Sequence, residues 1–335
     1  TAVTSVTITE PSALVASASA GSIACNGGTT TVTVSATGGT ASYTGTGSFT
    51  ASAGTSTYTV TDANGCTAVT SVSITEPSAL SASATAGSIA CNGGSTTVTV
   101  SATGGTPSYT GDGTFNASSG TSTYTVTDAN GCTAVTSVTI TEPSALSASA
   151  TAGSIACNGG TTTVTVSATG GTPSYTGTGS FTASAGTSTY TVTDANGCTA
   201  VTSVSITEPS ALSASATSGS IACNGGTTTV TVSATGGTPS YTGTGSFTAS
   251  AGTSTYTVTD ANGCTAVTSV SITEPSALSA SATAGSIACN GGTTTVTVSA
   301  TGGTPSYSGT GSFTASAGTS TYTVTDANGC TAVTS

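Results

Sequence analysis

The sequence contains no Lys, Arg, His, Met or Trp in its 335 residues. Its eleven Asp and Glu side chains therefore give a formal net charge of −11, with no cationic side chain to oppose them. Nucleic-acid binding depends on Lys and Arg side chains that replace phosphate counterions, and anionic membranes attract the same residues. No apolar run approaches the length of a membrane span either. We therefore expect no nucleic-acid partner and no direct membrane insertion by this segment.

The missing residue types also restrict catalysis. Ser-His-Asp and Ser-Lys arrangements need a His or a Lys, and no cationic side chain is present to stabilise an oxyanion. Only a paired-carboxylate mechanism remains, and carboxylates are sparse because charged residues make up 3% of the chain. We predict that the protein is not an enzyme, that it has no catalytic residues, and that it binds no cofactor.

An internal repeat organises the whole chain. The segment Glu-Pro-Ser-Ala-Leu recurs every 66 residues, beginning at Glu10, Glu76, Glu142, Glu208 and Glu274. Tandem copies suit a role that depends on length or valency. The predicted domains are the end of a preceding repeat at 1–9, followed by repeats at 10–75, 76–141, 142–207, 208–273 and 274–335.

Each repeat alternates apolar and polar residues with a period of two, as in Thr161–Ala168 and Ser188–Thr193 of the third repeat. This pattern predicts half-buried strands, and Asn-Gly-Gly, Gly-Gly-Thr-Pro and Asp-Ala-Asn-Gly segments supply the turns between them. The fold prediction is an all-β tandem array of five small immunoglobulin-like β-sandwich repeats. The predicted core of the third repeat is Ile155, Val164, Val166, Tyr175, Phe181, Tyr190, Val192, Val201, Val204 and Ile206.

The strand count bears on how the repeats connect. We count six strands in a repeat, but a head-to-tail array needs an odd number so that the two termini leave at opposite ends. We therefore expect the segment from Leu146 to Cys157 to divide into two strands around Ala152-Gly-Ser154.

Ten cysteines are distributed two to a repeat, which indicates a disulfide framework and an oxidising compartment. Zinc is disfavoured because the closely spaced Cys pairs and His partners of zinc sites are missing. We predict bonds within each repeat, from Cys25–Cys66 to Cys289–Cys330, because both cysteines could sit at one end of the sandwich. Bonds across the repeat boundary and free thiols are the alternatives. The predicted disulfide residues are Cys25, Cys66, Cys91, Cys132, Cys157, Cys198, Cys223, Cys264, Cys289 and Cys330.

Several segments of each unit resemble the SprB-type repeat of large cell-surface adhesins of gliding bacteria. In the third repeat these are Cys157–Gly160, Gly170–Tyr175, Tyr190–Cys198 and Ile206–Pro209, together with the Val-Thr-Val strand. The resemblance covers essentially the whole chain. It implies secretion, attachment to the cell surface through a distant signal, and a role in adhesion or gliding.

Two motifs have a simple and a more specific interpretation. Asp194–Gly197 is typical of a β-turn, although its residue types also occur in Ca²⁺ loops. The one Asp and one Glu of the third repeat are too few for the oxygens that Ca²⁺ needs, and we predict no metal site. Outward-facing Thr161, Thr163 and Thr165 could suit ice or crystal binding, but Thr is also an ordinary strand former with a polar surface.

The sequence therefore predicts an extracellular, cell-surface location and a repetitive stalk of a bacterial adhesin. The alternative is a subunit of a self-assembling extracellular filament or sheath. The expected partners are extracellular surfaces or glycans, or neighbouring copies of the chain itself.

Overall fold

The computed structural model describes all residues from 1 to 335, and every regular element in it is a β-strand. Each repeat contributes five strands. The first repeat contains β1 (Val15–Ala20), β2 (Thr30–Thr37), β3 (Gly47–Ala51), β4 (Gly54–Thr61) and β5 (Thr67–Ile74). The second contains β6 (Ser81–Ala86), β7 (Thr96–Thr103), β8 (Gly113–Ala117), β9 (Gly120–Thr127) and β10 (Thr133–Ile140).

The other repeats follow the same order. The third repeat contains β11 (Ser147–Ala152), β12 (Thr161–Thr169), β13 (Gly179–Ser184), β14 (Gly186–Thr193) and β15 (Thr199–Ile206). The fourth contains β16 (Ser213–Ser218), β17 (Thr227–Thr235), β18 (Gly245–Ser250), β19 (Gly252–Thr259) and β20 (Thr265–Ile272). The fifth contains β21 (Ser279–Ala284), β22 (Thr293–Thr301), β23 (Gly311–Ser316), β24 (Tyr322–Thr325) and β25 (Thr331–Thr334).

The chain forms two compact units. The first comprises Thr1–Ala148, Ala168–Thr176 and Val192–Ala200, and the second comprises Ser149–Ser167, Gly177–Thr191 and Val201–Ser335. The first two repeats lie in the first unit and the last two in the second, while segments of the third repeat belong to both.

Each repeat is a small sandwich of two antiparallel sheets. In the first repeat the strand order is β1-β2-β3 in one sheet and β4-β5 in the other, and β1 contacts β5 across the core. The rings of Phe49 in β3 and Tyr58 in β4 lie 5.1 Å apart, so the chain turns back between these strands as it changes sheets. The prediction of an all-β tandem array of β-sandwiches is confirmed. Each sandwich has five strands, fewer than the seven of a constant-type immunoglobulin domain.

The core of a repeat is built from few and small side chains. In the first repeat it consists of Ile23, Val32, Val34, Val60 and Ile74, with Ala and Tyr side chains packed around them. Period-two alternation places Val32 and Val34 inward while their neighbours Thr31, Thr33 and Ser35 face solvent. Each core is small because the chain has few large apolar side chains.

Most of the predicted core is confirmed in the third repeat. Ile155, Val164, Val166, Val192 and Ile206 are buried, and Tyr175, Tyr190 and Val204 are half-buried. The prediction is wrong for Val201, which is 65% exposed. It stands three positions before Val204 and five before Ile206 in the sequence, and an odd offset along a strand places it on the opposite face of β15. Phe181, at 37% exposure, lies at the margin of the core beside Tyr190.

The predicted division of Leu146–Cys157 into two strands is also wrong. This segment forms a single strand, β11, followed by a loop from 153 to 160 that carries Ile155 and Cys157. The odd strand count needed for a head-to-tail array is nevertheless present, because each repeat has five strands. The structure contains no helix with the length and apolar character that a membrane crossing requires.

Candidate functional site: the junction between repeats

The two cysteines of a repeat lie at opposite ends of its sandwich. In the first repeat Cys25 is in the loop after β1, and Cys66 is in the turn between β4 and β5. The three strands β2, β3 and β4 lie between them, and each strand carries the chain from one end of the sandwich to the other. Because three is an odd number, Cys25 and Cys66 lie at opposite ends, and a bond within one repeat would have to span the length of the sandwich.

The cysteines instead join consecutive repeats. Each disulfide links the first cysteine of one repeat to the second cysteine of the next, at a sequence separation of 107 residues and a Cα–Cα distance of 5.7 Å. Each bond lies inside one compact unit. The four bonds are Cys25–Cys132, Cys91–Cys198, Cys157–Cys264 and Cys223–Cys330.

The predicted pairing within repeats, from Cys25–Cys66 to Cys289–Cys330, is therefore wrong. Two cysteines can lie at one end of a sandwich only if an even number of strands separates them, whereas the structure has three. The observed bonds do cross a repeat boundary, but they join cysteines 107 residues apart and not those 25 residues apart across the boundary, such as Cys66 and Cys91. Of the ten predicted disulfide residues, Cys66 and Cys289 are unbonded and exposed.

Polar contacts accompany each disulfide. At the first junction the backbone N–H of Gly27 donates a hydrogen bond to Oε2 of Glu76 at 2.6 Å. The side-chain amide of Asn26 donates to the carbonyl of Pro77 at 3.0 Å, and that of Asn130 donates to the carbonyl of Ala24 at 3.1 Å. Gly27 has a φ of 74°, which turns its N–H toward the carboxylate in a conformation that favours glycine. The loop of one repeat therefore binds both the linker and the turn of the next.

A buried aspartate holds the turn that carries the second cysteine. In the second repeat Oδ1 of Asp128 accepts hydrogen bonds from the N–H groups of Asn130 and Cys132, at 2.9 Å each. Its Oδ2 accepts from the N–H of Thr106 at 2.8 Å, so the carboxylate ties the turn to the neighbouring loop. The bond from Thr106 is the main cause of a lowered pKa for Asp128, against the opposing effect of desolvation. The aspartate thereby positions Cys132 for its bond to Cys25.

The same contacts explain what the Asp-Ala-Asn-Gly segment does. In the third repeat both carboxylate oxygens of Asp194 accept backbone N–H groups, from Thr172, Asn196 and Cys198. The segment is a β-turn, and the bond from the Gly197 N–H to the Asp194 carbonyl closes it at 3.1 Å. The Oδ2 of Asp194 is already bonded to the Thr172 N–H, and no group of three or more acidic or Cys side chains that could hold a metal is present.

Three of the junction residues were not identified from the sequence as contact residues. Glu76 stands at the start of a repeat, and Asn26 and Asn130 lie in segments that the sequence predicts as turns. The available signal was that Cys-Asn-Gly-Gly and Glu-Pro recur in every repeat without contributing to the core. Their partners lie 49 to 106 residues away, a relation that only the fold reveals.

No protein-family model matches the chain, and no curated protein sequence matches it. Among solved structures, it is similar to the crystal structure of Down Syndrome Cell Adhesion Molecule (DSCAM) isoform 1.30.30, N-terminal eight Ig domains. The two are 13% identical with a TM-score of 0.23, and the match covers 96% of this chain and 56% of that one.

Proposed function

We propose that this chain is an extracellular repetitive stalk of a bacterial cell-surface adhesin, which extends or presents adhesive contacts. The observation that carries the proposal is the junction. Eight of the ten cysteines join neighbouring repeats, and a repeated set of hydrogen bonds supports each bond. A covalent bond at every junction suits a protein that must keep its length under load. The resemblance to SprB-type repeats supports a role in adhesion or gliding.

The chemistry available on the surface supports the same proposal. The chain offers many hydroxyl groups and few charges, so individual contacts with a surface or a glycan would be weak and would act through their number. Disulfides persist in oxidising environments, which supports an extracellular location.

The stalk is tested by changing its length. Chains of one, three and five repeats are placed between a fixed bacterial surface anchor and an adhesive tip of known specificity. Attachment is then measured on a bare surface and on one covered by a polymer layer. We expect equal attachment to the bare surface and a loss of attachment through the layer as repeats are removed. A 335-residue Gly/Ser linker serves as a control that has the same number of residues without junctions. Attachment that does not depend on repeat number would refute the proposal.

The alternative, a laterally packed filament or sheath, is favoured by the solvent-facing side of the sheets. Thr161, Thr163 and Thr165 are exposed, and Ser149 and Ser167 share a hydroxyl hydrogen bond of 2.8 Å across neighbouring strands. Such a polar face with few charges would permit close packing of chains side by side.

A charge in every repeat separates the two functions. If chains pack laterally through this face, Thr163→Asp together with the same change at its four equivalents abolishes bundles. Ala195→Asp and its equivalents, in the exposed turn, add the same charge elsewhere and leave bundles intact. If the chain is a stalk, both variants remain unbundled and sediment alike at high protein concentration.

A further inference from the structure

Every junction between repeats contains two Asn–Gly bonds, one from each of the repeats that it joins. At the first junction these are Asn26–Gly27, in the loop after β1, and Asn130–Gly131, in the turn between β9 and β10. Asparagine is a chemically labile residue. Its side-chain amide is lost most readily when glycine follows, because glycine has no Cβ to hinder attack by its backbone nitrogen. The junction is therefore built around bonds that are prone to a covalent change.

Deamidation of Asn26 would begin with the backbone nitrogen of Gly27. That nitrogen bonds to Cγ of Asn26, the bond from Cγ to the side-chain nitrogen breaks, and ammonia leaves with the hydrogen of the Gly27 N–H. The product is a cyclic imide. Water then opens one of its C–N bonds and gives aspartate or isoaspartate, so the net reaction consumes water and releases ammonia.

The closed junction holds both groups that this reaction uses. The Gly27 N–H donates to Oε2 of Glu76 at 2.6 Å, and the Asn26 side-chain amide donates to the Pro77 carbonyl at 3.0 Å. At the other three junctions the corresponding distances are 2.6 Å and 3.1 Å. Attack on the amide requires the loop to release these bonds in a local opening of the junction.

The two Asn–Gly bonds of a junction differ in what holds them. In the turn, the Gly131 N–H donates to the Asp128 carbonyl at 3.0 Å, and the Asn130 amide donates to Oγ1 of Thr106 at 2.8 Å. These contacts lie within one repeat. In the loop, the side-chain bond of Asn26 and the N–H bond of the glycine after it both go to the next repeat. Only the Asn–Gly bond of the loop depends on the junction for its restraint.

We propose that each junction protects the Asn–Gly bond of its loop from deamidation, and that deamidation in turn weakens a junction that has opened. An aspartate at position 26 places a carboxylate oxygen, in place of a donor, against the Pro77 carbonyl, in a loop that already binds the Glu76 carboxylate. Isoaspartate also lengthens the backbone by a methylene group inside the loop that the Gly28 N–H closes on the Cys25 carbonyl at 3.0 Å. The proposal rests on the junction and does not depend on an adhesive role.

Glu76→Ala tests the protection by removing the acceptor of the Gly27 N–H at one junction. The full chain is incubated in mildly alkaline buffer, and deamidation at each Asn is followed by elastase digestion and tandem mass spectrometry. Asn26 should deamidate about tenfold faster than in the unchanged chain, because a hydrogen bond to a charged acceptor shifts a local opening by about that factor. Asn92, whose loop still binds Glu142, should keep its rate and is the reference within the same molecule.

The Cys25–Cys132 bond, recovered in the same digests, shows that the variant has formed its junction. Equal rates at Asn26 and Asn92 in the variant would overturn the proposal. A slower rate at Asn26 would overturn it too, because Glu76 would then act as a base that promotes the attack. In the unchanged chain Asn26 should deamidate more slowly when folded than in urea, and equal rates in the two states would show that the junction gives no protection.

Asn26→Asp tests the effect of the product on the junction. The rate at which a small thiol reduces Cys25–Cys132, relative to Cys91–Cys198 in the same chain, reports how often the first junction opens. This ratio should rise about tenfold, because a hydrogen bond is replaced by the repulsion of two acceptors. Asn116→Asp, which adds the same charge at an exposed position of β8, should leave the ratio unchanged. A ratio that Asn26→Asp does not change would contradict the weakening.

Discussion

The interior of a repeat and the junction between repeats are stabilised by different chemistry. The interior of the first repeat depends on a few small apolar side chains such as Val32 and Val60, both fully buried. The junction is polar and covalent, built from Cys25–Cys132, the Glu76 carboxylate and two Asn side chains. The comparison shows that cysteines in a small β-repeat need not reinforce its own core. Here they reinforce the connection between cores.

The largest expected effect comes from reducing the junctions. With all four disulfides intact, the shortest covalent path through an unfolded chain runs along residues 1–25, 132–157, 223–264 and 330–335, about 100 residues. At about 3.3–3.6 Å per residue the pulled chain should reach about 330–360 Å, and after reduction about 1,100–1,200 Å. Single-molecule force spectroscopy with and without reductant measures both values. An oxidised chain that extends fully would show that the junctions are open.

The bond pattern itself is checked by digestion with a protease that cuts before Asp, applied to the unfolded, unreduced chain. The observed bonds leave two separate covalent sets of three cysteine peptides, one of 1–61, 128–193 and 260–325, and the other of 62–111, 194–259 and 326–335. Bonds within repeats would instead connect all six peptides into one product.

The next largest effect tests the interior of a single repeat. Val258 in β19 is fully buried, whereas Val267 in the paired strand β20 is 64% exposed. Val258→Ala should destabilise the fourth repeat by about 2–3 kcal/mol through lost burial and a cavity, and Val267→Ala should change it by less than about 0.5 kcal/mol. Hydrogen exchange at the amides of β19 and β20 measures both. If the two substitutions destabilised the repeat equally, the two valines would lie in similar surroundings. That result would contradict the burial of Val258 and the exposure of Val267.

Acid should weaken the turn that presents the second cysteine. The N–H of Thr238 is the main cause of the lowered pKa of Asp260, with further bonds from Cys264 and Asn262. A lowered pKa in the folded state means that the stability it contributes is present above the unfolded value and is lost as the pH falls below about 4 toward the folded pKa. The melting temperature should therefore be constant through the neutral range and fall in acid.

Asp260→Asn should remove part of this acid sensitivity and lower the melting temperature at pH 7. The amide nitrogen of Asn would face the Thr238 N–H, donor against donor. Asp112→Asn is the control, because Asp112 is exposed and makes no such bonds, and it should leave the melting curve unchanged. Similar curves for the two variants would mean that Asp260 does not support the turn.

Much of the fold was predictable from the sequence because it depends on local patterns. The 66-residue period, the alternating strands and the turn residues all follow from neighbouring residues, and they predicted the sheets and most of the core. Val201 could have been excluded by counting positions along β15. The disulfide pairing could not be predicted reliably, since it depended on whether an even or odd number of strands separates Cys157 from Cys198. The contact between Asn26 and Pro77 joins two repeats and has no local signature.

The smallest effect concerns backbone strain in the loop that supports the junction turn. Ser240 has a φ of 95°, in the region that favours glycine, and the four equivalent serines have φ between 91° and 104°. In the same loop the Thr238 N–H donates a hydrogen bond to the Asp260 carboxylate, and the Tyr241 hydroxyl donates one to the Gly236 carbonyl at 2.6 Å. These bonds fix the conformation of the loop.

Ser240→Gly should therefore stabilise the fourth repeat by about 1 kcal/mol, the relief of strain exceeding the added flexibility of the unfolded chain. Ser246→Gly in the extended strand β18 is the matched control: it removes a similarly exposed serine with no positive φ, and should destabilise by about 0.5–1 kcal/mol. Hydrogen exchange of the loop and strand amides compares the two. If Ser240→Gly stabilises the repeat and Ser246→Gly destabilises it, the backbone strain lies in the loop that supports the junction turn and not in the sheet. If both substitutions lower the stability by the same amount, Ser240 is not strained in its loop.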